Sequence, residues 1–167
     1  KRDWSSDVCS SDLSNDLTVT AGTLAGTSNL TVQGGDIAGN GTINLTSATT
    51  TLTGTGNFGG TGSYTFANLK FGTGSSQTTT ASGAGAITVS GALTISSSAT
   101  LQAGSKTWNL SGSGSPLIIS GTFTPQTSTI SFNGSSATTI NAITYYNLTV
   151  NQSGTTFTLG GVTTSTK

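Results

Sequence analysis

The sequence predicts an all-β chain, a right-handed parallel β-solenoid, and three observations carry that prediction. Apolar and polar residues alternate strictly in many short runs. Helix formers such as Glu, Lys, Arg and Met are almost missing: the 167 residues contain no Glu and no Met, while β-branched Thr, Val and Ile abound. The early runs also recur at a regular interval, as stacked repeats do.

The alternating runs follow one another along the chain. They are LTVT at 17–20, NLTV at 29–32, TINL at 42–45, AITVS at 86–90 and ALTIS at 92–96. TWNL at 107–110, STISF at 128–132, NLTV at 147–150 and TFTL at 156–159 complete the series. Gly, Asn and Ser separate them, which marks short strands joined by turns, each with one buried face. The inward positions predicted from this parity are Leu17, Val19, Leu30, Val32, Ile43, Leu45, Ile87, Val89, Leu93, Ile95, Trp108, Leu110, Leu148 and Val150.

The interval is about 13 residues. DLTVTAGTLAGTS at 16–28 is followed by NLTVQGGDIAGNG at 29–41, so Leu17/Val19 becomes Leu30/Val32 and then Ile43/Leu45. A longer similarity links TFANLKF at 65–71 with TYYNLTV at 144–150. A unit this short has no core of its own, and stacking copies covers its apolar stripe. Two such units per coil give roughly six coils and a rod about 30 Å long. A β-sandwich is the competing fold. The close pairs Ile87/Val89 and Leu93/Ile95 favour the solenoid.

Residues 1–13, KRDWSSDVCSSDL, stand apart. They hold the only Arg, the only Cys and three of the five Asp. The run from Asp3 to Leu13 resembles a translated short-read library adapter, which implies an artefact with no structure. The solenoid segment is then 14–167, expected to be a fragment of a longer reading frame. Its charged side chains are Asp16, Asp36, Lys70, Lys106 and Lys167.

This composition excludes much chemistry. Charged residues are 6% of the chain and net charge is +0, so no basic patch exists for nucleic acid. No apolar run is long enough to span a bilayer as a helix. With no His and no Cys after residue 13, no metal or cofactor site is expected. Asp16 and Asp36 are the carboxylates left for a polysaccharide-cleaving site, but they fall at different places in the repeat. GGDIAGNGT at 34–42 lacks the spacing of a calcium-binding nonapeptide, and GTGNFGGTG at 54–62 lacks the Lys and helix of a phosphate loop. Asn-x-Ser/Thr sequons at Asn29, Asn40, Asn44, Asn109, Asn133, Asn147 and Asn151 read as turn and strand-edge asparagines.

Two aromatic residues, Phe66 and Tyr145, recur at matched positions on the opposite parity from Leu69 and Leu148. That makes them the candidate surface-contact residues; the ordinary outcome at such places is a strand bulge that buries them. Thr-x-Thr runs at 18–20, 49–55, 78–80, 122–124, 127–129 and 156–158 raise ice binding. Their uneven intervals argue against the coil-by-coil spacing it needs.

The runs GNGTINLTS, AITVSGALTISSSATLQAGSKTWNLSGSG and TYYNLTVNQSGTTFTLGG resemble the large bacterial β-strand-repeat surface proteins, in the style of autotransporter passengers and filamentous-haemagglutinin-like adhesins. The resemblance implies an extracellular or surface-attached β-solenoid, non-enzymatic, used as a stalk, coat or adhesive surface. Its implied partners are a surface polysaccharide or a host or environmental surface, with self-association through exposed coil ends. A carbohydrate- or ice-binding module is the alternative function.

Overall fold

The computed structural model describes residues 11–161 and 163–165. They form a parallel β-solenoid of about seven turns, with no helix. Every strand pair is parallel, which excludes the antiparallel sheets of a sandwich. Among the described residues no helix is long and apolar enough to cross a membrane.

Each turn carries three strands, one on each of three faces. Face I stacks Thr23–Ala25, the start of Thr42–Leu52, the start of Tyr64–Phe71, Ile87–Val89, Thr107–Leu110, Thr129–Phe132 and Asn147–Val150. Face II stacks Ser11–Leu13, Leu30–Val32, the ends of those two long strands, Leu93–Ile95 and Leu117–Ile119. Face III stacks Leu17–Thr18, Ile37–Ala38, Gly56–Gly59, Gln77–Ser82, Ala99–Gln102 and Thr122–Thr124. Beyond Thr124 the chain keeps the same order. Thr138–Ile140 pairs with Phe157–Leu159, and Thr144–Tyr145 with Thr164–Ser165, as separate two-stranded sheets.

Three strands per turn correct the expected coil. The rise from one layer to the next takes 18 residues from Ile130 to Leu148 and 24 from Leu93 to Leu117, not two 13-residue units. Thirteen residues span about two-thirds of a turn. Leu17 therefore lies on face III, Leu30 on face II and Ile43 on face I, each stacked on different partners: Ile37, Thr50 and Tyr64. The long similarity fails the same way, because Leu148 stacks on Ile130 above Trp108, Ile87 and Tyr64, not in the column of Leu69.

Most predicted inward positions are buried, from Leu30 and Val32 to Trp108 and Leu110. Leu17, Val19 and Leu148 are partly buried, and Val150 is 45% exposed, a correction to the parity reading. Among the described residues no strand pairs above Asn147–Val150 on face I. The first three described residues also correct an expectation. Ser11–Leu13 is a strand, with Leu13 in register with Val32, because its Ser-Asp-Leu alternation suits the ladder. Residues 1–10 lie outside the described residues.

Aromatic rings fill the middle of the core. Phe58 stacks on Trp108 with centroids 5.8 Å apart, and meets Tyr64, Phe66 and Phe71 around its rim. Such contacts add about 0.5–1.5 kcal/mol each beyond simple burial. The Trp108 indole N–H donates to the carbonyl of Ala103, so no donor is stranded.

Candidate functional site

The two candidate contact residues are core residues. Phe66 and Tyr145 are both 0% exposed. In Tyr64–Phe71 the inward set runs Tyr64, Phe66, then Leu69 and Phe71, with Ala67 and Asn68 forming the corner between faces I and II. The register against Thr42–Leu52 shifts at that corner, between Leu45 and Thr49. The corner switches the parity, so Phe66 and Leu69 both point inward. Tyr145 precedes a similar corner into face I, and its hydroxyl donates to the carbonyl of Asn141.

Asp16 and Asp36 do come together, on adjacent coils at one corner. The Asp16 carboxylate accepts the backbone N–H of Asp36 at 3.1 Å, and the Asp36 carboxylate accepts that of Asn57. Each carboxylate thus serves a backbone donor that the corner leaves without a ladder partner. Asn29 and Asn68 do the same for the N–H groups of Thr49 and Ala92. No group of three or more His, Cys, Asp or Glu capable of holding a metal occurs among the described residues.

What remains as a site is a surface, and the outer side of face III is the most regular. Gln77–Ser82 and Ala99–Gln102 alternate buried and partly exposed residues, so Thr78, Thr80, Thr100 and Gln102 point outward. The pairing places Thr100 between Thr78 and Thr122, and Gln102 between Thr80 and Thr124. Thr55 and Asn57 extend the two ranks, flanking Gly56, which pairs with Thr79. One rank is therefore Thr55, Thr78, Thr100, Thr122, a threonine on four successive coils. The other is Asn57, Thr80, Gln102, Thr124. This corrects the expectation of uneven spacing. The steps of 23, 22 and 22 residues differ in sequence, but corner residues absorb the difference.

The geometry follows from the parallel sheet. Neighbours within a rank are about 4.8 Å apart, and the two ranks about 6.6 Å. Thr55 Oγ1 accepts the N–H of Thr78 at 3.1 Å, and the Thr80 hydroxyl donates to Gln102 Oε1 at 3.2 Å. No aromatic ring and no charge occurs in these eight positions. Towards the start of the chain the second rank continues into Asp36 and Asp16.

Face I has its own outward set, more mixed in character: Asn44, Thr65, Thr88, Asn109, Ser131 and Thr149 lie in one rank. Two sequon asparagines, Asn44 and Asn109, are simply members of it.

One functional group escaped the sequence reading altogether. Lys106 is 1% exposed, with its ammonium directed at the carbonyls of Gly85 and Gly60. Desolvation holds its pKa below the ordinary lysine value. The signal was present: Lys106 shares the parity of Trp108 and Leu110.

Comparison with protein-family models, with curated proteins and with solved structures found no match for the chain.

Proposed function

We propose that this chain is a non-enzymatic segment of an exported bacterial surface protein, a β-solenoid serving as a stalk or coat with adhesive flanks. The observation that carries the reading is the continuous parallel ladder on face I, from Thr23–Ala25 to Asn147–Val150, clothed outside by uncharged hydroxyl and amide side chains. Such a rod gains length simply by adding coils, since each contacts only its neighbours. Its polar flanks keep so weakly charged a chain hydrated. The two carboxylates nearest to a catalytic pair are committed to backbone N–H groups, which supports a structural role for them.

The test is to recover the reading frame on both sides of residues 14–167 in the source DNA. An export signal, further three-strand coils and an anchoring or translocation domain are expected. A frame that encodes a short protein with no export signal overturns the proposal.

A further inference from the structure

We infer that the outer side of face III binds the surface of ice through its rank of four threonines, flanked by the parallel rank Asn57, Thr80, Gln102 and Thr124. The inference does not depend on export or on a longer parent protein.

A crystal surface is recognised by a rigid lattice of matching repeat, not by a pocket. Thr55, Thr78, Thr100 and Thr122 supply one rank fixed by the backbone ladder at about 4.8 Å, with a second rank about 6.6 Å away. Waters bridging those hydroxyls must adopt the spacing of the rank, and that spacing is close to the shorter oxygen repeat of hexagonal ice. Threonine suits the task on two counts. Its hydroxyl anchors a water while its methyl excludes loosely held ones. Its branched side chain has little rotamer freedom to lose on binding.

The chemistry of the face separates ice from its nearest rival, a crystalline polysaccharide. Sugar rings are held chiefly by stacking on exposed aromatic rings, and none stands among these eight positions; of the aromatics in the same strands, Phe58 is wholly buried and Phe123 is partly buried against the core. Charged side chains, which hold hydration shells unlike ice, are also missing from these eight positions: Lys70 lies on face II and Lys106 is buried.

The experiment measures thermal hysteresis and ice-crystal shape with the full chain. The double variant Thr78→Tyr/Thr100→Tyr places bulky rings in the lattice while keeping residues that favour strands. Thr65→Tyr/Thr88→Tyr does the same on face I and serves as the control. We expect hysteresis and faceted crystals in the parent, loss of both to the buffer level in the face III variant, and full retention in the face I variant. Circular dichroism and melting temperature identify any variant that fails to fold. In that event Thr78→Val/Thr100→Val, which keeps shape and removes the hydroxyls, takes its place with the same expected loss. No hysteresis in the folded parent overturns the inference, and so does equal loss in the face I variant. Retention of the parent on cellulose or chitin beads without hysteresis overturns it in favour of a polysaccharide flank. The surface-protein proposal stands or falls separately, on the reading frame.

Discussion

The ammonium nitrogen of Lys106 lies 2.7 Å from the carbonyl oxygen of Gly85. The two residues are one layer apart in the same column, two positions before the paired Ile87 and Trp108. The same nitrogen reaches the carbonyl of Gly60, 3.2 Å away and two coils back. The lysine therefore ties three coils together. It has room because Gly59 has no side chain: a Cβ there would fall 2.2 Å from Lys106 Cε. A buried charge is tolerated only when its donors find acceptors, and here backbone carbonyls supply them.

Replacing Lys106 should separate charge from volume. Lys106→Met keeps the length, loses the cation and leaves the Gly85 carbonyl without this donor, so we expect a cost of about 1 kcal/mol. Lys106→Ala also opens a cavity and should cost about 2–4 kcal/mol. Urea unfolding followed by tryptophan fluorescence measures both. Equal stability of Lys106→Ala and the parent would show that the tie does not hold the coils.

The stability should have an alkaline limit. Burial raises the pKa of Tyr64 and of Tyr145, so the unfolded chain ionises first, near the ordinary value of about 10. Above that pH the unfolded state has lost protons that the native state keeps, and stability falls. Lys106 acts in the opposite sense. Its lowered pKa means the native state releases its proton first, so stability rises with pH up to about 10.4. Melting temperature should rise modestly on approach to that range and drop beyond it. Replacing both tyrosines with Phe should weaken the drop, which melting curves across the alkaline range would reveal.

Phe66→Ala and Tyr145→Ala should damage the fold rather than a ligand contact. Both rings are wholly buried; Phe66 packs 6.0 Å from Phe58 and Tyr145 6.5 Å from Phe132. Each truncation should cost about 3–5 kcal/mol. Differential scanning calorimetry of the two variants checks this, and melting temperatures equal to the parent's would contradict the burial.

The strand parity was legible in the sequence, and the turn geometry was not. Ile87/Val89 and Leu93/Ile95 announce two strands with one buried side each, and both pairs are 0% exposed. Parity fails at corners. Ala67 and Asn68 turn the chain between Phe66 and Leu69, so a strict two-residue count puts Phe66 outside. The 13-residue repeat is real as a pattern, but it steps across two of the three strands in a turn and so names the wrong partners. The threonine rank was hidden for a related reason. The distance from Thr55 to Thr78 includes corner residues that change in number from coil to coil, and only backbone pairing shows which threonines are neighbours.

Asp36 gives the clearest division between a structural and a chemical role. Its carboxylate accepts the N–H of Asn57, while its own N–H donates to Asp16. Removing the acceptor strands a corner donor, and Asp36→Ala should cost about 1–2 kcal/mol. Asp36→Asn keeps an oxygen acceptor and should leave stability within about 0.5 kcal/mol of the parent. A carboxylate that did acid–base chemistry would not distinguish the two, because the amide cannot exchange a proton near neutral pH and both substitutions would abolish turnover. Chemical denaturation of the two variants, paired with an assay for reducing ends released from polysaccharide, reads both roles at once. Stability lost in Asp36→Ala and kept in Asp36→Asn, with no reducing ends from any form, is the expected result. Turnover in the parent that vanishes in Asp36→Asn would make this corner an active site and overturn the non-enzymatic proposal.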